Sequence, residues 1–473
     1  MSQPAAARRI DCRIQLAGPR LYARGNAFTD APMSDTSPSR RGTNNRQQAI
    51  YTQGMAGRVP RIPPEPRALA AAAAKAMTRA GRGYIDGGAG TEATIGANRA
   101  AFDGWQIVPR MLADVSRRNT GIDLFGRRLA QPFLLSPIGV LDLAHPSADI
   151  GVAEAAASRG VPMIFSNQAS HPMEACADAM DAVAKDAPRW FQLYWPKSDA
   201  LAESLVARAE ACGCEALVVT LDTTLLGWRP RDLTLGHLPF LHGRGIAQYT
   251  SDPVFQDLMA TAPTGERPPI TWATLKNALA AARRYPGPTW NAMTSGKAIA
   301  AVRQFIATYS RPDLSWDDLA WLRERTRLPI LLKGVLAPDD ARRAEAAGMD
   351  GLIVSNHGGR QVDGAIASLD ALPAIAAAVP DMPLILDSGV RTGADIFKAL
   401  ALGATAVGIG RPYAWALALG GRAGVAEWID NTAAEFELTM ALAGCRDIAD
   451  ITDGTARLTR RGPVSASTAD PYA

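Results

Sequence analysis

Short apolar runs alternate with alanine-rich helical windows through most of the chain after Pro132, and Gly, Pro, Asp or Ser separates one from the next. The apolar runs are rich in Val, Ile, Leu and Phe, which predicts buried β-strands. Eight such strands are predicted, near residues 133, 161, 190, 216, 329, 351, 383 and 405. Strict alternation of strand and helix predicts a parallel sheet, and eight repeats favour a closed (β/α)8 barrel over an open sheet.

Further elements flank the predicted barrel. An N-terminal helical segment is predicted, with one helix over residues 65–79 that Gly81 ends and a second through 98–102. The connection between predicted strands four and five, residues 230–312, is roughly 80 residues long. Loops of that length in a compact domain are usually functional, so we expect a lid over the strand ends. One or two helices are predicted over 424–451.

The pattern divides the chain into three parts. Residues 1–48 mix Pro, Ser, Arg, Asn and Gly without apolar periodicity, which predicts a disordered leader. Residues 49–455 form the predicted barrel domain, and residues 456–473 a polar tail.

Composition and charge exclude several classes of protein. The chain is 47% hydrophobic and 20% charged, which is typical of a globular core. Its net charge of +4 does not predict a nucleic-acid partner. The five scattered cysteines form no pair of CxxC motifs, so no metal site is predicted and reduced thiols of the cytoplasm fit best. No uncharged apolar stretch reaches about 18 residues, so no membrane partner is expected.

Polar residues end nearly every predicted strand, at the end of the barrel where such folds place their active sites. A purely structural interpretation would have to explain hydrogen-bonding groups at almost every strand end. These residues are Pro137, Ile138 and Gly139; Ser166, Asn167 and Gln168; Gln192 and Tyr194; Thr220 and Asp222; Lys333; Ser355, Asn356 and His357; Asp387, Ser388 and Gly389; and Gly410 and Arg411.

Glycine-bearing turns follow predicted strands seven and eight, with the sequences DSGVR and GIGR. Small residues there allow backbone N–H groups to approach a phosphate, and Arg391 and Arg411 would neutralise it. Lys333 ends a buried strand, where an isolated ammonium is costly, so it needs a negative partner. A reduced flavin is one such partner, and an ion pair with a neighbouring strand-end aspartate is the alternative.

His357 is one of only five histidines, and in the sequence HGGR it stands three residues before Arg360. A base beside a cation suits a substrate that carries both a removable proton and a carboxylate. Asp222, at a neighbouring strand end, would orient the imidazole and stabilise its charged form. A lone histidine is more often structural, but this setting favours catalysis.

Several motifs together resemble one known family. SNHGGRQ, LDSGVRTGADIFKALALGATAVGIGRP, FQLY, PILLKG, and TLDT followed by GWR are closely similar to the FMN-dependent 2-hydroxy-acid oxidases and dehydrogenases, over roughly residues 51–451 and in the same order. The resemblance implies a (β/α)8 barrel, FMN as cofactor, a small 2-hydroxy acid and O2 as reactants, and a homotetramer or homo-octamer.

The resemblance also implies roles for individual residues. His357 would be the base, with Asp222 as its partner. The residues implied to bind the substrate are Tyr84, Tyr194, Arg229 and Arg360. The residues implied to contact FMN are Pro137, Ile138, Gly139, Ser166, Gln192, Thr220, Lys333, Ser355, Asp387, Ser388, Gly389, Arg391, Gly410 and Arg411.

Within the family, the long connection and the segments IYTQGMAG and GRPYAWALALGG look most like lactate 2-monooxygenases. Gly139 agrees, because plain oxidases usually carry alanine beside flavin N5, whereas Gln168 departs from the tryptophan of several oxidases. The expected reaction is oxidation of an L-2-hydroxy acid, lactate first, to acetate, CO2 and water. The alternative is an oxidase that releases the keto acid and H2O2.

Two other classes compete with this prediction. One is a different FMN- or phosphate-binding barrel enzyme, such as a nucleotide dehydrogenase or isomerase, but those lack the combination of base and arginines in HGGR. The other is a catalytically silent scaffold, which the intact His357, Arg229, Arg360 and Lys333 argue against. Whether a proton or a hydride leaves C2 first stays open, because the same histidine can take either the C2 proton or the hydroxyl proton.

Overall fold

Eight parallel strands close into a barrel in which each strand pairs with the next one along the chain, and the last pairs with the first. The computed structural model describes residues 44–263, 269–454 and 457–461. All eight barrel strands lie where the apolar runs predict them, which confirms the (β/α)8 fold. In chain order the strands are β1 (Trp105–Val108), β2 (Ile122–Leu124), β3 (Arg127–Leu129), β4 (Phe133–Leu135), β5 (Met163–Phe165), β6 (Arg189–Leu193), β7 (Leu217–Thr220), β8 (Ile330–Val335), β9 (Gly351–Val354), β10 (Leu384–Leu386), β11 (Ala406–Ile409) and β12 (Arg457–Arg460), of which β4 to β11 form the barrel.

Helices cover the barrel and fill the connections between its strands. In chain order they are α1 (Asn44–Met55), α2 (Pro66–Ala76), α3 (Arg79–Asp86), α4 (Ala93–Asp103), α5 (Ala148–Ala157), α6 (Met173–Val183), α7 (Asp199–Ala211), α8 (Pro230–Leu235), α9 (Ala247–Thr250), α10 (Pro253–Leu258), α11 (Trp272–Arg284), α12 (Thr289–Thr294), α13 (Lys297–Thr308), α14 (Asp318–Arg323), α15 (Pro338–Ala346), α16 (Ser368–Ala378), α17 (Gly393–Ala401), α18 (Arg411–Leu442) and α19 (Ala449–Thr452). None of these helices is both long and apolar enough to cross a membrane.

The barrel interior is filled by one set of alternating strand residues, because successive side chains of a strand point to opposite faces. The hairpin β2–β3 packs against this set, and Phe125 at its turn meets the ring of Trp190 edge-on at 5.7 Å. Gly351, which begins β9, faces the same Phe125 ring. The hairpin therefore closes the N-terminal end of the barrel, and the C-terminal end is left for a site. The interior residues of the strands are Leu134, Ile164, Trp190, Val218, Leu331, Ile353, Ile385 and Ala406.

The predicted N-terminal boundaries need correction. The predicted leader ends at residue 48, but α1 begins at Asn44; residues 1–43 lie outside the described residues. The helix predicted over 65–79 is two helices, α2 and α3. Thr78 is the reason, because its side chain accepts a hydrogen bond from the N–H of Gly81 and so begins a new helix after the extended Met77. Gly81, predicted as a stop, lies inside α3.

The long connection between β7 and β8 lies where the sequence predicts it, but it is largely helical and carries α8 to α14. Stacked and edge-on rings of Phe240, Tyr249, Phe305 and Tyr309 form its core. The Tyr249 hydroxyl accepts a hydrogen bond from Asn167, just beyond β5, at 2.7 Å. The connection is therefore packed onto the strand ends by buried aromatic side chains.

The predicted polar tail also contains structure. Residues Arg457–Arg460 form β12, which pairs antiparallel with β1, so that Leu458 lies opposite Ile107. Before this strand, α18 is broken at Gly421, whose φ of 57° favours glycine. Residues 462–473, the rest of the predicted tail, lie outside the described residues.

Candidate active site

His357 stands three residues beyond the end of β9, in a tight 3₁₀ turn at the C-terminal end of the barrel. Its Nδ1 lies 2.7 Å from Asp222 Oδ1 and 3.3 Å from the Thr223 hydroxyl, and its Nε2 lies 3.5 Å from the Tyr194 hydroxyl. The φ of His357 is 58°, which is strained for a residue with a side chain. Such strain persists only where surrounding contacts hold it, and it is common at active sites.

Hydrogen bonds from neighbouring loops hold this turn. Asn356 and Asn98, on α4, exchange side-chain amide hydrogen bonds of 2.7 and 2.8 Å. The Ser388 hydroxyl accepts from the N–H of Gly358 at 2.9 Å, and the Ser355 hydroxyl accepts from the N–H of His357 at 3.0 Å. The backbone turn that carries His357 is therefore held by its own residues, by α4 and by the loop after β10.

The charge states of the His357–Asp222 pair follow from its surroundings. Burial alone would raise the pKa of Asp222, but the attraction of His357 and Lys333 lowers that pKa to about 2. Burial also lowers the pKa of His357, and Asp222 only partly offsets this. At neutral pH, Asp222 is thus ionised and His357 neutral. Nδ1 then carries the proton and donates a hydrogen bond to Asp222, which leaves the Nε2 lone pair able to accept a proton.

Lys333 is 3% exposed and pairs with two carboxylates. Its ammonium lies 3.3 Å from Asp387 Oδ2 and 3.9 Å from Asp222 Oδ2, and it donates to the Ser355 hydroxyl at 2.8 Å. Burial favours the neutral amine, but the two carboxylates outweigh it and raise the pKa of Lys333. Both predicted interpretations of this lysine are compatible with the geometry, because an ion-paired cation still lines the cavity.

Arg229 and Arg360 face the same cavity and are both buried or nearly so. Arg360 donates to the carbonyls of Tyr84 at 2.5 Å and Gly87 at 2.7 Å, and its guanidinium lies 5.0 Å from the centre of the Tyr84 ring. Arg229 donates to the Arg360 carbonyl and to the Gln361 amide oxygen. Burial, followed by repulsion from Arg229, lowers the pKa of Arg360 to about 9. Two like charges so placed would bind an incoming carboxylate.

Arg391 and Arg411 form a second cationic corner. Arg411 is the first residue of α18 and donates to the carbonyls of Ile85, Gly87 and Gly358. Burial, then mutual repulsion with other arginines, lowers the pKa of each to about 10. In the described part of the chain, neither side chain has a carboxylate hydrogen-bond partner. Two such cations at a helix N-terminus fit a phosphate group.

A layer of buried polar residues lies behind the cavity wall. Ser166 donates to Gln192, and the Gln192 amide donates to the Thr220 hydroxyl at 2.9 Å. With Ser355 and Asp222, these residues do not line the open cavity. The predicted residues that do line it are Tyr84, Pro137, Ile138, Gly139, Tyr194, Arg229, Lys333, His357, Arg360, Asp387, Ser388, Gly389, Arg391, Gly410 and Arg411.

Seven further side chains around the cavity were not assigned catalytic or binding roles from the sequence: Ile85, Ser136, Gln168, Thr223, Leu226, Tyr309 and Val390. Thr223 follows Asp222 directly, donates to it at 2.8 Å, and was present in the TLDT motif. Tyr309 comes from the end of α13, and no local pattern in the sequence marks it as part of a site. The connection between β7 and β8 thus contributes Leu226 and Tyr309 to the cavity.

The residues present fit FMN. Arg391 and Arg411 are half-buried cations with no carboxylate hydrogen-bond partner among the described residues, which suits a phosphate, and Lys333 supplies a positive charge within the same cavity. At Gly408, a Cβ would lie 2.4 Å from the Ser136 hydroxyl and 3.2 Å from Asp387, so only glycine keeps this wall open.

Comparisons with known proteins agree with this geometry. The profile of a protein family described as FMN-dependent dehydrogenase matches residues 73–458. An L-lactate oxidase from Lysinibacillus sphaericus is 42% identical over 77% of this chain and 85% of its own length. An FMN-dependent alpha-hydroxy acid dehydrogenase from Penicillium citrinum is 39% identical over 85% of this chain and 93% of its own. A crystal structure of mandelate oxidase superposes with a TM-score of 0.66 at 34% identity, covering 83% of this chain and 98% of that one.

Proposed function

This chain belongs to the FMN-dependent dehydrogenase family, with FMN as its cofactor and 2-hydroxy acids as its substrate class, and on that premise we propose that it oxidises L-lactate or a close homologue. The observation that carries the proposal is that His357, whose Nε2 lies 3.5 Å from the Tyr194 hydroxyl, lines the same cavity as Arg229 and Arg360. A base, a hydroxyl partner and a carboxylate site in one cavity match the three functional groups of an L-2-hydroxy acid.

We assign the substrate carboxylate to Arg229 and Arg360, with the Tyr84 hydroxyl beside them. Tyr194 hydrogen-bonds the substrate oxygen at C2. His357 takes a proton at Nε2, and Asp222 stabilises the imidazolium that forms, because its ionised carboxylate already accepts from Nδ1. Removal of the C2 proton and removal of the hydroxyl proton both use this same atom.

FMN, when bound, supplies a two-electron acceptor that oxygen can reoxidise. Lys333, Gly139 and the polar layer of Ser166, Gln192 and Thr220 would hold its ring, and Asp387, Arg391 and Arg411 its ribityl and phosphate groups. The chain itself contributes the base His357, the arginines Arg229 and Arg360 that bind the substrate carboxylate, and the positive charge of Lys333.

A spectroscopic experiment tests the proposal. Purified protein should be yellow, and its flavin absorbance should bleach when L-lactate is added under nitrogen. D-Lactate is the matched control. Because the base and the two arginines have fixed positions, they accept only one configuration at C2. Bleaching by both enantiomers at equal rates, or by neither, contradicts the proposal.

For the oxygen-dependent half of the reaction, we propose that lactate and O2 yield acetate, CO2 and water. Gly139 supports this: a Cβ there would lie only 3.0 Å from both Cβ and the carbonyl oxygen of Gln168, so glycine leaves space in the cavity. Leu226 and Tyr309, from the long connection, cover the same cavity. Pyruvate held there while peroxide forms beside it is decarboxylated before either escapes.

The alternative is an oxidase that releases pyruvate and H2O2, and it is supported by the relatives named L-lactate oxidase. Product analysis separates the two. With catalase absent, one acetate and one CO2 per O2 are expected, whereas stoichiometric peroxide would establish the oxidase outcome.

We also propose a homotetramer or homo-octamer located in the cytoplasm. The family resemblance supports the assembly, and four free cysteines among the described residues support a reducing compartment. Light scattering of the purified protein tests the assembly, since a monomeric mass contradicts it.

A further inference from the structure

Asp232, on the short helix α8, is a buried carboxylate with no role in the proposed chemistry. The residue is 8% exposed, and its Oδ1 is buried without a hydrogen-bond partner in the described structure. A buried ionised group left without a hydrogen bond is costly, and such groups are uncommon away from functional sites. Its position therefore needs an explanation other than packing.

Asp232 lies in the first turn of α8, three residues after Arg229, which is the N-cap residue of that helix. Its carboxylate acts electrostatically on Arg360 and Arg229, and on the Tyr84 hydroxyl, yet it forms an ion pair with none of them within 4.0 Å in the described residues. Arg231, its neighbour on α8, is engaged by Glu92 at 2.5 Å. On the other side, Asp232 Oδ1 faces the backbone of Gly83 on α3, 3.6 Å from where a Cβ would lie.

We propose that Asp232 is a positioning residue that tunes the arginine pair: its negative charge weakens the hold of Arg229 and Arg360 on carboxylates. This rests on the proposed binding of the substrate carboxylate by that pair. Two arginines without a countercharge would hold the carboxylate of the keto-acid product tightly and slow its release. A carboxylate set back from them keeps both arginines charged and lowers their affinity for any anion, which favours release of the product.

The proposal also predicts the direction in which anion affinity changes with pH. Burial raises the pKa of Asp232, and the attraction of Arg360, Arg229 and Arg231 offsets it only in part. As pH falls from neutral, Asp232 becomes protonated and its opposition to anion binding is lost. Anion affinity should then rise. His357 also gains a proton as pH falls and would act in the same direction, so its contribution must be removed from the measurement.

The experiment measures pyruvate binding by the change in flavin absorbance, in His357→Gln protein that carries FMN. Four variants are compared in that background: Asp232 unchanged, Asp232→Asn, Asp232→Glu, and Asp257→Asn, which removes an exposed carboxylate from the same connection. At neutral pH, Asp232→Asn should bind pyruvate about 3- to 30-fold more tightly than the parent, as expected for one charge at intermediate distance. Asp232→Glu and Asp257→Asn should match the parent.

A pH series on the parent is a second, independent measurement that does not depend on how Asp232→Asn folds. As pH falls from neutral, the parent should bind progressively more tightly while Asp232→Asn changes little. Equal or weaker binding by Asp232→Asn, or a flat pH series in the parent, overturns the inference. Failure of every variant to bind pyruvate instead refutes the proposed carboxylate site itself.

Discussion

Two groups of cations around the active-site cavity are held in different ways. In the first group, the paired side, Lys333 lies between Asp387 and Asp222, and His357 donates to Asp222. In the second group, the arginine side, the hydrogen bonds of Arg229, Arg360 and Arg411 go to backbone carbonyls and to one side-chain amide in the described residues.

The difference shows which charges the chain neutralises with its own side chains and which it leaves for bound ligands to neutralise. Carbonyl oxygens orient a guanidinium but do not neutralise it, so the arginine side has an excess of positive charge that anions would offset. The paired side needs no ligand to keep its charges in place. Loss of a group on the paired side should therefore stop chemistry, and loss of an arginine should first weaken binding.

The largest effect is expected on the paired side. His357→Gln should lower the rate of flavin bleaching by L-lactate about 10²- to 10⁴-fold, because a positioned base is removed while the volume is nearly kept. FMN content should stay unchanged, since Arg391 and Arg411, which are proposed to bind the phosphate, are still present. Stopped-flow absorbance under nitrogen measures the rate, and His242→Gln, outside the cavity, is the control. Bleaching at the parental rate would remove His357 from the mechanism.

The arginine side should respond differently. Arg360→Met should lower kcat/KM for L-lactate about 10²- to 10³-fold, with much of the loss in KM, because a bidentate charged contact is removed. Arg360→Lys should restore kcat/KM only in part, since an ammonium cannot reproduce the two parallel N–H donors of a guanidinium. Arg342→Met, on the exposed face of α15, is the control. If saturation by lactate is unaltered in Arg360→Met, the carboxylate binds elsewhere.

The sequence predicts the residues of the paired side better than it predicts Leu226 and Tyr309, which cover the cavity, and the reason is physical. Buried parallel strands are continuous apolar runs, so their ends, and with them Lys333, His357 and Asp387, can be located to within a residue or two. Tyr309 comes to the cavity only because α13 packs through its aromatic rings, a long-range contact that leaves no local pattern.

Short elements escaped prediction for the same reason. The strand β12 pairs with β1 across about 350 residues of chain, and its four residues alternate in a way that a polar tail also shows. Thr78, in contrast, carried a local signal, because a threonine after an alanine-rich helix is a good N-cap for the next one. The division of one predicted helix into α2 and α3 could have been found from it.

The paired side also depends on close backbone packing, which a glycine substitution tests. Gly334, with φ 108°, forms an irregularity in β8 beside Lys333, and a Cβ there would lie 2.8 Å from that of Asp222. Gly334→Ala should destabilise the fold by about 1–3 kcal/mol and displace Asp222. Gly287→Ala is matched: its φ is 91°, but nothing lies near its Cβ. Thermal unfolding with FMN bound measures both, and equal losses would show that contact with Asp222 is unimportant.

The two sides should give the two limbs of one pH profile. His357 must be neutral to accept a proton, and burial lowers its pKa below 6.5, so kcat/KM should fall as pH drops through that lowered value. Arg360 must be charged, and its pKa of about 9 predicts a fall above that pH. Each limb should approach tenfold per pH unit. Arg360→Met should lose the alkaline limb and keep the acid limb; an alkaline limb that persists belongs to another group.

The smallest change in rate, and the one most specific to the oxygen reaction, is expected at Gly139. A Cβ there would lie 3.0 Å from both Cβ and the carbonyl oxygen of Gln168, and 3.5 Å from the Tyr84 hydroxyl. Because its φ is not in the left-handed region, the backbone accepts alanine, and Gln168 must move by only a few tenths of an ångström. Flavin bleaching should therefore change by less than about tenfold.

The products should change more than the rate in Gly139→Ala. Space lost beside Gln168 is space in which pyruvate would wait while oxygen reacts, so pyruvate should leave earlier, and its share with peroxide should rise at the expense of acetate and CO2. Gly96→Ala, on α4 with open space around its Cβ, is the matched control and should leave the product ratio as in the parent. Quantifying acetate, pyruvate and peroxide in one reaction measures the shift. An unchanged ratio in Gly139→Ala would mean that residence of pyruvate is set by the cover of Leu226 and Tyr309, and the same product assay on Tyr309→Phe and Leu226→Ala would then decide between them.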